Sequence, residues 1–187
     1  MPQVTVLDII KFTSQITRPS DGGNTYTAGE LISGVSDEHF EIGNVIASDS
    51  GSLQSDDSIV RPQCYSRSAI LNSIKLVRSV NAPILDLAAN LHLFCKDLGD
   101  IADTTAISFA VADVRAYHLA TIAIATGSWD TFGNGQSQEI QKIDQPIVFP
   151  VFDTNVTGVI HAYLEATNAG DMGASEVVDL EMIFTRN

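Results

Sequence analysis

The sequence predicts an all-β protein, an antiparallel β-sandwich of jelly-roll-like character with one short helix. Short runs of alternating apolar and polar residues recur along the chain, about eight to ten of them, as half-buried strands require. Clusters of Gly, Pro, Asn, Asp and Ser punctuate them and read as turns. A single stretch is helical in character, and the regular strand–helix alternation of a parallel α/β sheet is missing.

The centre of the pattern lies at positions 91 to 124. Leu91, Leu93 and Cys95 alternate with His92 and Phe94 as a first strand, and Ile122 and Ile124 alternate with Thr121 and Ala123 as a second. Between them an acidic, small-residue connection from Asp97 to Asp103 leads into a short helical insert over 110 to 118; one long helix over 103 to 125 is the competing reading of this alanine-rich stretch.

Upstream, positions 3 to 12 form a first strand, and Arg18-Pro19-Ser20-Asp21-Gly22-Gly23-Asn24 forms a turn, because proline fixes φ and glycine admits positive φ. Short strands are expected over 31 to 35 and 40 to 47. The polar, acidic stretch 49 to 58 reads as a solvated loop, since its spacing lacks the alternate ligands and closing glutamate of a calcium-binding EF-hand loop. From Ile70, a strand places Ile70, Ile74, Leu76 and Val80 on one face, which Asn72 and Arg78 interrupt.

Downstream, 127 to 138 carries Trp129, Phe132, Asn134 and three glycines without a regular period, and reads as a long functional loop. The run 146 to 152, PIVFPVF, broken by Pro150, fits an edge or bulged strand, because proline cannot donate to a central ladder. The last two runs are the cleanest. One turns Ile160, Ala162, Leu164 and Ala166 inward; the other turns Val178, Leu180, Met182 and Phe184 inward. They are expected to pair with each other across the connection 167 to 175 and close the fold.

Composition bounds what such a chain does. A length of 187 residues suits one domain, 1–187, and lets roughly 70% of the unfolded surface be buried. Ten basic against 23 acidic residues leave a net charge of -13, which repels nucleic acid and anionic membranes alike. The N-terminus lacks the pattern of a signal peptide, and no apolar run reaches the ~20 residues of a membrane helix, so the expectation is a soluble cytosolic product. Cys64 and Cys95 stand alone at either end of a 31-residue interval. They read as two buried thiols, with a disulfide between them as the alternative.

No catalytic constellation is visible, and no cofactor is expected. GxSxG and P-loop patterns are missing. His39, His92, His118 and His161 are widely spaced, so a metal site would have to be assembled from distant strands. The residues offered for contact with a partner are Trp129, Phe132 and Asn134. Trp129 also reads as a core anchor reached from its loop, and the same glycine-rich stretch could line a carbohydrate site, since sugars stack on aromatic faces and hydrogen-bond amides.

The order of motifs carries a resemblance. Residues 16 to 33, ITRPSDGGNTYTAGELIS, resemble the opening of a broad group of tailed-bacteriophage structural proteins: an Arg-Pro-x-Asp turn, then a Tyr-x-x-Gly-Asp-like step in which Glu30 takes the acidic place. AILNSIKLV, LHLF, IADTTAISF, VADVRAYHL and the closing ATNAGDMGASEVVDLEMIF follow in the group's order, over about two-thirds of the chain; 127 to 143 departs from it. The resemblance implies a β-sandwich head decoration (cement) protein with no catalytic residues to transfer. Its partner would be the major capsid protein, with self-association as a dimer or trimer. It would be made in the bacterial host cytoplasm and would reside on the capsid outer surface of the virion. The alternatives are a receptor- or carbohydrate-binding module of a phage tail, and an enzyme with a metal site drawn from separated strands.

Overall fold

The computed structural model describes residues 8–20, 25–43, 45, 68–79, 87–125, 129–132, 135–148 and 158–186. The acidic stretch 49 to 58, Cys64, Val80, Asn134 and Pro150 lie outside them.

The fold is an all-β sandwich of antiparallel sheets. Its strands are β1 (Asp8–Thr17), β2 (Thr25–Tyr26), β3 (Leu31–Ile32), β4 (Phe40–Ile42), β5 (Ser68–Arg78), β6 (Ala89–Phe94), β7 (His118–Ile124), β8 (Asp130–Phe132), β9 (Gly135–Val148), β10 (Ile160–Ala166), β11 (Gly170–Asp171) and β12 (Val177–Arg186). One sheet has the order β1-β12-β5-β9-β8. The other runs β3-β10-β6-β7, with β4 also paired to β10, and β11 and β2 form a small third ribbon. Inward residues of both large sheets, among them Ile74, Leu76, Leu180 and Met182 from one and Leu91, Leu93, Ile122 and Leu164 from the other, share one core.

The helix α1 (Val111–Tyr117) is short, as the insert reading requires. The long-helix reading fails because the chain turns extended at His118 and pairs as β7 with β6. β7 buries Ala120, Ile122 and Ile124 and exposes Thr121 and Ala123, so its alternation is the one expected.

Four expectations are corrected. The first strand runs on to Thr17, beyond its expected end at 12, and stops just before Pro19, which has no ladder donor. In β5 the inward residues are Ala69 and Leu71, then Ile74 and Leu76; Ile70 is only half-buried. A bulge between Leu71 and Ser73 moves the following side chains by one residue, which switches faces in a structure of period two. The stretch 127 to 138 is no loop throughout: β8 and β9 pair antiparallel with Phe132 opposite Gly135, and β9 continues, through an irregularity between Gln141 and Gln145, to Pro146 and Val148. Finally, β10 and β12 do not pair. Each lies inside a different sheet, and the connection between them crosses from one to the other through β11.

A segment without regular structure, 95 to 110, covers the outer face of the second sheet. Leu98, Ile101, Ile107 and Phe109 pack there on Leu31, Phe94 and Tyr163, a small cluster separate from the main core. Its backbone is pinned to β3, with Leu31 N–H donating to Thr105 O at 2.9 Å and Thr104 N–H to Leu31 O at 3.0 Å. Thr104 sits at φ 60°, the left-handed turn that aims Asp103 back at the core.

Candidate functional site

Two clusters of polar side chains stand out, and the first is buried. Arg18, expected in a turn, is wholly enclosed. Its Nη2 donates to Asp103 Oδ2 at 2.8 Å, and its Nη1 to the carbonyls of Met172 at 2.6 Å and Gly173 at 3.1 Å. Tyr26 lies under the guanidinium, 4.8 Å from ring centroid to Cζ, and its hydroxyl donates to Asp103 Oδ1 at 2.6 Å. The same oxygen accepts the Ser33 N–H at 3.1 Å. Burial, and then the Asp103 hydrogen bond, raise the Tyr26 pKa well above that of an ordinary phenol. Close by, Arg78 makes a bidentate pair with Glu176, Nε to Oε1 at 2.8 Å and Nη2 to Oε2 at 3.2 Å, with both side chains 1% exposed. Glu176 Oε2 accepts the Gly173 N–H at 2.7 Å, so the two arginines grip the crossover between β11 and β12 from both ends.

The second cluster opens to solvent on the outer face of the second sheet. His161 projects from β10, His39 from the residue just before β4, and Asp97 from the 95 to 110 segment. β4 pairs with β10 so that Glu41 faces His161, and this register sets the two histidines side by side. His39 Nε2 and His161 Nδ1 are 3.0 Å apart, and Asp97 Oδ1 is 3.7 Å from His39 Nε2. One ligand-capable atom from each of the three lies within 4.8 Å of the others. Tyr163 organises the group: its ring stacks on His39 with centroids 4.4 Å apart, and its hydroxyl accepts the Leu98 N–H at 2.9 Å and donates to Asp97 Oδ1 at 3.3 Å.

Burial and neighbouring groups shift the pKa values of all three downward. Burial lowers the His39 pKa, against the pull of Asp97 and Asp100, and burial followed by the charge of His39 lowers that of His161. For Asp97, burial works upward but is outweighed by the Gly99 N–H and the two histidines, which hold its carboxyl below the ordinary value. His39 Nδ1 is buried with no hydrogen-bond partner among the described residues; the nearest carboxylate oxygen, Asp100 Oδ1, is 3.8 Å away.

Of the residues singled out for contact, Trp129 is half-buried and packs against the main core. Its indole N–H donates to Leu87 O at 3.0 Å, and the Arg78 guanidinium lies 5.6 Å over its ring. Phe132 ends β8, and Asn134 is outside the described residues. The histidine cluster escaped sequence reasoning because His39 and His161 are 122 residues apart and no local spacing announces them. Cys95 is buried and its thiol donates to Tyr117 O at 3.3 Å. No protein-family model matches the chain, and no curated protein matches it.

Proposed function

We infer that this chain is a bacteriophage capsid decoration protein, which binds the outside of the major capsid protein lattice and stabilises the head. One observation carries the reading. The motifs through which the chain resembles that group are scattered over the sequence, yet Arg18, Tyr26 and Asp103 meet in one buried network, with Met172 and Gly173 of the closing motif accepting from Arg18. Residues that act together in the fold are the ones a shared fold would keep together. That convergence is what supports reading the motifs together.

The physics of the role suits such a body. Packaged DNA pushes capsomers apart, and a rigid protein bridging neighbours resists by mass action on the assembled state. A standard interface buries roughly 800 Å² per partner, and repetition around a symmetric shell lets weaker contacts suffice. A charge of -13 keeps decorated particles dispersed. The carbohydrate-binding alternative draws less support, because the indole N–H of Trp129 and one face of its ring are already engaged within the fold.

Quantitative mass spectrometry of purified virions tests the reading. The protein should occur at a fixed ratio to the major capsid protein, and particles stripped of it should lose DNA at a lower temperature. Virions that lack it sink the proposal.

A further inference from the structure

We propose that His39, Asp97 and His161 bind a single divalent transition-metal ion of the zinc class, through His39 Nε2, His161 Nδ1 and a carboxylate oxygen of Asp97. The inference does not depend on the capsid role.

Three donors from three separate segments converge, which solvation alone does not require. Zinc bonds to imidazole nitrogen and carboxylate oxygen of roughly 2.0–2.2 Å set the edges of a tetrahedral site at roughly 3.3 Å. The two edges measured are 3.0 and 3.7 Å, bracketing that value. Asp97, the donor that must close in, is the exposed one, with its side chain 58% accessible. Solvent can therefore reach the fourth position. Two imidazoles and one carboxylate suit zinc, nickel, cobalt or copper, and not calcium or magnesium, which prefer all-oxygen sites.

The buried Nδ1 of His39 is the second, independent sign. Histidine ligands of metals ordinarily donate their other ring N–H to a carboxylate, which fixes the tautomer and the ring orientation. With metal on Nε2, the proton belongs on Nδ1, and Asp100 Oδ1 at 3.8 Å is placed to accept it after a small closure. Without metal, that nitrogen is buried for no return. Stacking on Tyr163 fixes the plane of the ring, and the Tyr163 hydroxyl ties the Asp97 carboxylate and the Leu98 amide to the same point.

The other two histidines form no such site among the described residues. Both ring nitrogens of His92 are occupied, by Thr121 Oγ1 at 3.0 Å and Glu165 Oε2 at 2.9 Å. His118 Nε2 is likewise bonded to Thr121 Oγ1, at 2.9 Å.

The test is titration of chelator-treated, full-length protein with zinc chloride by calorimetry, and with cobalt chloride by visible absorption. One equivalent should bind, with the cobalt form showing the intense d–d bands of a low-coordinate site. At zinc a hundred-fold above Kd, the unfolding equilibrium constant should fall about 100-fold. His161→Ala and His39→Ala should abolish binding, and Asp97→Asn, at an exposed position where folding is not at stake, should weaken it. His92→Ala should bind as the parent does. No stoichiometric binding of either ion, binding unchanged in Asp97→Asn and His161→Ala, or binding lost in His92→Ala would each overturn the proposal.

Discussion

Replacing Asp103 by alanine removes the acceptor on which three donors converge: the Arg18 guanidinium, the Tyr26 hydroxyl and the Ser33 amide. The Asp103 side chain is 7% exposed and that of Arg18 0%, so water does not readily take the carboxylate's place. Breaking a buried ion pair from one side costs about 3–5 kcal/mol, because the remaining charge is left uncompensated. Each orphaned neutral donor adds up to about 1–3 kcal/mol of desolvation penalty, reduced as the vacated space relaxes. We therefore expect a loss near the top of the range, about 4–5 kcal/mol, which is a large part of the 5–15 kcal/mol that typically holds a domain together. At roughly 2–4 °C per kcal/mol for a chain of this size, the melting temperature should drop by about 8–20 °C. Equilibrium urea unfolding, followed by the fluorescence of the single tryptophan and by circular dichroism, measures it. The double variant Arg18→Met, Asp103→Ala should be less damaged than the sum of the singles by about 1 kcal/mol or more, since the orphaned charge is gone. A single-variant loss below about 1 kcal/mol, or strict additivity, would refute the claim that this carboxylate anchors the network.

Three further outcomes are expected of the same fold. Glu176→Ala should cost about 3–5 kcal/mol by urea unfolding, because it strands a guanidinium of which only 1% is exposed; Glu176→Gln should cost less. Gly43→Ala should cost about 1–3 kcal/mol, since the new Cβ would lie 2.7 Å from the Phe12 ring, itself packed edge-on to Phe184; a neutral result would mean that the ring yields freely. Acidification should lower the melting temperature in two steps. His118, whose pKa is pulled below 6.5 by burial and then by His92, resists a proton that the unfolded chain accepts, so stability should fall as pH drops below about 6.5. Glu165 is pushed upward by burial, but the hydrogen bonds of His92 and Asn90 win and hold it below 4.5; its contribution, present above that value, is lost as pH falls through its lower folded value. A thermal scan series from pH 8 to pH 3 reads both, and a flat profile between pH 7.5 and 5 contradicts the first step.

How much was legible in the sequence depended on the range of the interaction. The facing of β6, β7, β10 and β12 could be read directly, because alternation is local and each strand has one face in the core. β5 could not, since its bulge depends on the strands beside it, and a single shift reverses inside and outside. Arg18 read as a turn residue and Arg78 as an interruption of an apolar face; both are buried because carboxylates distant in sequence neutralise them. The β8–β9 pair had a signal in Gly133-Asn134-Gly135, a composition that favours tight hairpins. The histidine cluster had none. It exists only through the pairing of β4 with β10 and the covering segment that carries Asp97.

The place of β12 has a bearing on how the protein comes to be made. β1 finds its whole ladder on β12, from Asp8 opposite Arg186 to Thr17 opposite Val177, and β5 takes the other flank of the same strand. During translation, these early ribbons therefore emerge long before the one that joins them; β5 can meet β9 first, whereas β1 must wait for β12. Such late closure favours slow maturation and makes chaperone shelter valuable. Premature termination anywhere ahead of Val177 would leave both flanks without their common neighbour, so nascent fragments should be degraded or aggregate instead of accumulating as partly working bodies.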